Sequence, residues 1–479
     1  MKFSRYNTIA VVDDHTFVHN GVGGDFHRLP TTMWERVERF VAGTDSGEGL
    51  VDELTMLVRA RLVTADDVDE LEVLRSRHLR SKYGGGLGLT IVTSLGCNFD
   101  CPYCFESKRP SLLKPAVADS LVALLDEAIA AGSPSMNVTW MGGEPLLGAA
   151  QLLDLSRVFI DRCDAAGMEY SAGILTNGWH LTTEMAARLA SARVGQAQVT
   201  IDGPADVHDR YRPKKDGGSS FDRILDNVVS AIDHLQVNIR VNLDSGNLGR
   251  VEELMAILAA RGLAGKVRLT PARLTAIASA DDAPSQSYQG GCYSCSDYGV
   301  VELEFDELAA RYGFEARGLP RAIGTPCTAV RATELVVGAD GELWKCWDDI
   351  GNNDEAIGTI FDHKTANAQI TKWLGYDPFS DDDCRSCVAL PGCMGGCAHH
   401  DFFGGRDDRC GTFRFNHQRK VENEALRMSG QPAQATGLVH VEASRLLASI
   451  PVSSTPVSIG RTRRRIDPET PELATTLAG

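Results

Sequence analysis

Three features are missing from this 479-residue sequence. It has no excess of positive charge, since 48 Lys and Arg stand against 64 Asp and Glu, a formal charge of −16. Binding nucleic acid needs clustered cations to neutralise phosphates, so this balance disfavours such a partner. No stretch approaches the ~20 apolar residues of a membrane span. The N-terminus does not read as a secretory signal either, because its apolar run from Ile9 to Val12 stops at Asp13-Asp14. The expectation is a cytoplasmic protein with neither nucleic acid nor membrane as partner. Structural disulfides are disfavoured there, so grouped cysteines read as metal ligands or redox groups.

What the sequence does have is thirteen cysteines, unevenly placed, and 43% hydrophobic residues, enough for roughly three domains with real cores. Residues 1–82 read as a separate module. Thr8 to Val12 and Thr16 to Asn20 flank Asp13-Asp14-His15 as a hairpin, and Trp34, Val37, Phe40 and Val41 fall at helical spacing. A second helix follows from Leu50, Val51, Leu54, Leu57 and Val58. A third opens with Thr64 as N-cap and Asp67 three residues on, burying Val68, Leu71 and Leu74.

From residue 86 to about 278 the pattern alternates between strand-like and helical runs. Strands are expected at Leu87–Thr93, Met136–Met141, Ser171–Thr176, Ala197–Ile201, Asn238–Leu243 and Val267–Thr270. The first intervening helix carries Pro115 near its start, Val117, Leu121, Leu124 and Leu125 on one face, and Gly132 after its end. Six such units in a row predict an α/β fold with a parallel sheet and right-handed crossovers, closed or partly closed as a barrel. Chemistry in such folds sits at the C-terminal strand ends. Polar and Gly-rich motifs do follow the strands: Cys97-x3-Cys101-x2-Cys104, Gly142-Gly143-Glu144-Pro145, Thr176-Asn177-Gly178 and Asp202-Gly203-Pro204.

Residues 279–415 are a Gly/Ser-rich bridge around Cys292 and Cys295, a helix from Val301 to Tyr312, and a cysteine-dominated stretch with little periodicity. Residues 416–479 read as a helix, Asn416 to Met428, and a flexible tail rich in Ser, Thr and Pro with the basic run Arg461-Thr462-Arg463-Arg464-Arg465.

Cys97, Cys101 and Cys104 share the spacing of a helix face, but Gly96 before them and Pro102 inside them argue against a helix. A loop wrapping an inorganic cluster fits better. Iron–sulfur clusters usually take four cysteines, so three leave one iron open. The motif Cys97-x3-Cys101-x-Tyr103-Cys104 resembles the signature of the radical S-adenosylmethionine (SAM) enzymes, with an aromatic residue before the third cysteine. The resemblance implies that these thiolates hold a four-iron, four-sulfur (4Fe-4S) cluster and that SAM chelates its fourth iron. SAM is then cleaved to a 5′-deoxyadenosyl radical, the cofactors carrying the difficult chemistry. It also implies that the barrel is a partial (β/α)6, TIM-like radical SAM barrel. Gly142-Gly143-Glu144-Pro145 resembles the family's GGEP loop, with Glu144 facing the SAM amino group; Asn177, Thr200 and Asp202 occupy strand-end positions similar to those that contact SAM in relatives. For these single residues a turn or barrel-rim role is the alternative.

The spacing Cys327-x13-Gly341-x4-Cys346 followed by Cys384-x2-Cys387-x5-Cys393-x3-Cys397-x12-Cys410 resembles the seven-cysteine SPASM extension of radical SAM enzymes. That resemblance implies two auxiliary 4Fe-4S clusters, three clusters in all. Cys327, Cys346 and Cys397 would hold the first auxiliary cluster, and Cys384, Cys387, Cys393 and Cys410 the second. The first is one ligand short, to be filled by Cys292 or Cys295 or left open to a substrate thiolate. Structural zinc and loop cysteines without a ligand role are the alternatives. Cys163 belongs to a helix core.

SPASM enzymes act mostly on peptides or proteins, and the N-terminal module resembles the winged-helix-like peptide-recognition domains of maturases of ribosomally made peptides. Its strand edge is expected to pair with a leader peptide by β-addition, or else the module is a packing lid. The expected reaction is an oxidative cross-link, a thioether or carbon–carbon bond, in a precursor peptide, with flavodoxin or ferredoxin as electron donor. A sulfatase-maturase-like formation of formylglycine is the enzymatic alternative. In those relatives an Asp directly follows the second SPASM cysteine as base, whereas here Trp347 follows Cys346 and Asp348 is the candidate catalytic base, or a solvated turn acid. An iron–sulfur electron carrier is the non-enzymatic alternative, against which the strand-end motifs weigh.

Overall fold

Residues 1–276, 280–315, 317–364, 367–405 and 408–432 are described by a computed structural model. Six parallel strands form its frame: β4 (Leu87–Ser94), β5 (Ser135–Gly142), β6 (Glu169–Thr176), β7 (Val194–Thr200), β8 (Gln236–Leu243) and β9 (Arg268–Arg273). They lie in the order β9-β8-β7-β6-β5-β4, and the crossovers are helices α4 (Pro115–Ala130), α5 (Ala149–Ala166), α6 (Thr183–Ser191), the pair α7 (Ala205–Tyr211) and α8 (Phe221–Ala231), and α9 (Val251–Ala260). The sheet is an open, partial barrel, since β9 ends it at one edge. β4 is buried along nearly its whole length, which is why it reads as a continuous apolar run, whereas β6 alternates. Trp140, Phe159 and Leu121 fill the space between sheet and helices; each such buried side chain stabilises the fold by about 1.5–3 kcal/mol.

The cysteine-rich segment adds to this sheet. Its strand β10 (Glu334–Val337) pairs parallel to β4, and β11 (Glu342–Trp344) and β12 (Gly358–Thr359) follow antiparallel. These strands were not visible as periodicity because they are only two to four residues long. The bridging helix α10 (Cys295–Arg311) starts earlier than expected, at Ser294, whose hydroxyl caps Asp297 N.

In the N-terminal module β1 (Asn7–Val12) and β2 (His15–Asn20) form the expected hairpin, closed by Asp13-Asp14 with Asp13 at φ +53°. A third strand, β3 (Phe26–Pro30), pairs with β2 and was missed, because Pro30 and the charged stretch before it break the apolar alternation. Helices α1 (Thr31–Val41), α2 (Val51–Arg59) and α3 (Glu70–Tyr83) follow. Thr64 is not a helix cap. It lies in a two-residue strand paired with Lys2, a long-range partner that local reading cannot see, and Asp69 caps α3 by accepting from Leu71 N at 2.9 Å. Val68 is accordingly exposed, while Leu74 is buried.

One face of this small sheet packs on Trp34, Val37 and Leu57. The other, through Ala10 and Phe17, receives Val421 and Ala425 of α11 (Phe413–Met428). The module is therefore joined to the C-terminal helix, and Gln418 donates to Ile9 O of the β1 edge at 2.9 Å. The described residues fall in one compact unit. The tail expected beyond this helix lies outside them. Among the described residues no helix is long and apolar enough to cross a membrane.

α11 is tied to α10 by Glu302, which accepts from Thr412 Oγ1 at 2.8 Å and Asn416 Nδ2 at 2.9 Å and pairs with Arg317 at 2.8 Å and Lys420 at 3.1 Å. Burial alone would raise its pKa, but Lys420 and Arg317 outweigh it and hold the carboxyl at about 2. A depressed folded-state value means that this contribution, on the order of 3 kcal/mol, is present above the ordinary pKa and fades below it. Protection of the α11 amides, taken relative to the intrinsic exchange rate at each pH, is expected to fall as pH drops from 4.5 toward 2, and Glu302→Gln should abolish that acid-dependent step.

Candidate active site

The loop that follows β4 carries the first three cysteines, and its position is set by backbone. Gly143 N donates to Ser94 O and Glu144 N to Gly96 O, both at 2.9 Å. A Cβ at Gly142 would stand 2.2 Å from Ser94 O, and one at Gly143 would stand 2.6 Å from Gly96 O. Gly142 also sits at φ +135°, so both positions require glycine. This close contact brings the loop after β5 against the cysteine loop.

Together they open a cavity of about 400 Å³ at the C-terminal strand ends. Cys97, Cys101, Tyr103 and Cys104 line it, with Gly142, Gly143, Asn177 and Thr200. All but two of the expected barrel site residues thus converge there. The exceptions are Glu144 and Asp202, which are fully buried and do not line the cavity themselves. Glu144 accepts from Thr176 Oγ1 at 2.8 Å, Leu146 N at 2.9 Å and Asn177 N at 2.8 Å. Its carboxyl therefore ties the end of β5 to the end of β6. Asp202 accepts from the hydroxyl of Tyr103 and from Asn242 N at 2.8 Å. Arg212 donates to the same Tyr103 oxygen at 2.8 Å, so the tyrosine is held from two sides. Both acids thus hold neighbouring groups in place by hydrogen bonds.

Several lining residues escaped the sequence reading. Gln198 on β7, two residues before the expected Thr200, and Arg240 and Asn242 on β8 occupy alternate positions, so the two-residue period of a strand aims each pair at the cavity. Polar residues at alternate positions near a strand's C-terminal end were the available signal. Lys108 lies among the three thiols, donates to Phe99 O at 3.1 Å and places a cation where three thiolates would gather. Burial pushes the Cys97 thiol up to about 11 and that of Cys104 to about 12, so these groups need a cation or metal to ionise. Glu106 is buried, and burial pushes its carboxyl up to about 8.

The far wall of the cavity comes from the cysteine-rich segment: Trp347, Asp348 and His400. Asp348 Oδ2 lies 3.9 Å from Cys346 Sγ. Burial and the charge of Asp348 raise the Cys346 thiol, and burial pushes Cys397 up to about 12, with Asp348 and Cys327 adding to it. Cys327, Cys346 and Cys397 are thus one neighbourhood. Cys384, Cys387, Cys393 and Cys410 form another, lining a cavity of about 20 Å³. Arg409 donates to Cys384 Sγ at 3.5 Å and Arg414 to Cys410 Sγ at 3.4 Å, two cations that would offset thiolate charge. Cys295 stands beside Cys393 and Cys410, and Cys292 beside Asp244 and Arg273. Cys163 is fully buried in α5, 3.8 Å from the Met168 sulfur.

Among the described residues, no three His, Cys, Asp or Glu side chains close on a point that a single metal ion could occupy. A zinc ion needs donors about 2.3 Å away, whereas a four-iron cluster spreads its donors over its corners. The buried pair His399 and Asp349, 3.5 Å apart and without a hydrogen bond, adds orphaned polar atoms beside Cys346 and Cys397.

An open parallel barrel whose first strand ends in three thiols, with a glycine-lined cavity beside them, defines a class, and comparison with known proteins agrees. Residues 91–257 match the Radical SAM superfamily. The serine-type anaerobic sulfatase-maturating enzyme of Klebsiella pneumoniae is 22% identical over 334 residues, 66% of this chain and 82% of that protein. The mycofactocin maturase MftC of Mycolicibacterium smegmatis is 26% identical over 336 residues, 66% and 79% of the two chains. The solved structure of native anSMEcpe with bound AdoMet and the Cp18Cys peptide matches with a TM-score of 0.53 at 17% identity, covering 72% of this chain and 98% of that one. Residues 91–257 therefore form a radical SAM domain, in an enzyme related to peptide maturases and sulfatase-maturating enzymes.

Glu144→Gln puts an amide N–H against one of three donors, and it is expected to cost about 1–3 kcal/mol in urea unfolding. Gly143→Ala should impair SAM binding in equilibrium dialysis, because the new Cβ meets Gly96 O.

Proposed function

We propose that this enzyme is a peptide maturase that installs an oxidative cross-link in a ribosomally made precursor peptide. The observation that carries the reading is the single cavity shared by the Cys97–Cys104 loop and by Trp347, Asp348 and His400 of the cysteine-rich segment. A substrate side chain placed there meets both ends of a two-electron oxidation. The relation to MftC, named a maturase, supports a peptide substrate.

In this reading Cys97, Cys101 and Cys104 hold the 4Fe-4S cluster that binds SAM, which when bound supplies the hydrogen-abstracting radical. Tyr103, Asn177, Gln198, Thr200, Arg240 and Asn242 orient SAM and substrate. Asp202 and Arg212 fix Tyr103, and Glu144 fixes the strand ends. Cys327, Cys346 and Cys397 hold one auxiliary cluster, and Cys384, Cys387, Cys393 and Cys410 the other. Clusters held there would supply the acceptor for the second electron, and a flavodoxin- or ferredoxin-like partner would be the electron donor for SAM cleavage.

The N-terminal module, residues 1–82, is the leader-binding element. Its small sheet has two edge strands, and Gln418 occupies part of the β1 edge, so β3 is the edge offered to an extended leader.

Replacing Cys97, Cys101 and Cys104 by Ala is expected to abolish SAM cleavage and to lower iron from about twelve to about eight per chain. Co-expression with short open reading frames from the neighbouring DNA, read by mass spectrometry, should yield a peptide lighter by two hydrogens per link. Conversion of a Ser or Cys to formylglycine would favour the sulfatase-type reaction instead, and no change in any candidate peptide would count against both.

A further inference from the structure

We propose that Asp348 is the fourth protein donor to the cluster held by Cys327, Cys346 and Cys397, standing where a fourth cysteine is missing. The assignment rests on the auxiliary-cluster reading above. Three thiolates leave one corner of a four-iron cluster without a cysteine. Cys346 precedes the short turn Trp347–Asp349, and that turn brings Asp348 Oδ2 to 3.9 Å from Cys346 Sγ. Asp348 also lines the cavity together with His400, three residues past Cys397, and its charge bears on the thiols of Cys327 and Cys397, which burial raises first. One oxygen donor and three sulfur donors thus share a neighbourhood.

The two upstream cysteines stand elsewhere. Cys295 Sγ lies 3.3 Å from Asp408 O, beside Cys393 and Cys410 of the other set. Cys292 is exposed and adjoins Asp244 and Arg273. Within the same turn Asp349 points the other way from the cavity: it is fully buried against His399, while Asp348 lines the cavity itself. Asp348 is therefore the member of the turn that can reach both a cluster and the substrate space.

The chemistry of the donor gives the arrangement a use. A carboxylate oxygen is a harder donor than a thiolate and suits a cluster iron less well. Asp348, the donor that lines the cavity, would then be the most readily exchanged ligand, and a substrate thiolate entering the cavity would displace its carboxylate.

The test uses the full chain with Cys97, Cys101 and Cys104 replaced by Ala, so that only auxiliary iron remains, reconstituted anaerobically. Iron content and low-temperature electron paramagnetic resonance are read after mild oxidation. The parent should hold about eight irons per chain and give no three-iron signal. Asp348→Ala should lose about one iron and develop the signal of a three-iron cluster; Asp348→Cys should keep the full count, with a shifted reduction potential. Loss of the whole cluster in Asp348→Ala with retention in Asp348→Cys also supports the assignment, and loss in both overturns it. If Asp348→Ala matches the parent while Cys346→Ala loses about four irons, the cluster stands and Asp348 is not its ligand. A three-iron signal from Cys292→Ala or Cys295→Ala, and not from Asp348→Ala, would transfer the position to that cysteine. If Cys346→Ala keeps every iron, the auxiliary-cluster reading fails and this assignment with it.

Discussion

The contact on which the site depends is between two stretches of backbone. The loop after β5 lies against the cysteine loop after β4 so closely that Gly142 and Gly143 have no room for a side chain. Two hydrogen bonds of 2.9 Å, from Gly143 N and Glu144 N, fix their register. Everything downstream follows from that closure. The thiols are held at the strand ends, Glu144 is drawn beneath to bind Thr176 and Asn177, and a cavity is left above the glycines.

Charge is arranged with equal economy around the sulfurs. Buried thiols resist ionisation, so a site built from them needs cations nearby or a metal. Lys108 serves the first group, and Arg409 and Arg414 serve the group around Cys384 and Cys410. The third group has acids as neighbours, Asp348 and Asp349 beside Cys346, and Lys345 near Cys327. That difference separates the cysteine group beside the larger cavity from the group around Cys384 and Cys410.

The strands and the cysteine groups were legible because each is a local signal: alternation for β6, a Pro-interrupted triad for Cys97 to Cys104. What escaped was set by partners far away in sequence. β3 is defined by pairing with β2, and Thr64 is withdrawn from capping by Lys2. Glu144 and Asp202 read as cofactor contacts because their strand-end positions match the motif; the fold adds Thr176, Asn177, Tyr103 and Asn242 as partners of their carboxyls, which no local pattern announces. Lys108 and Arg240 carried no motif at all; only the fold brings them to the cavity.

The central claim is that one cavity holds both the SAM-binding thiols and the substrate. It is tested most directly by incubating the enzyme with a precursor peptide deuterated in its core side chains and analysing the 5′-deoxyadenosine released. The account predicts deuterium in that product together with a peptide lighter by two hydrogens. Release of unlabelled 5′-deoxyadenosine from every deuterated position, with the peptide nonetheless cross-linked, would contradict it.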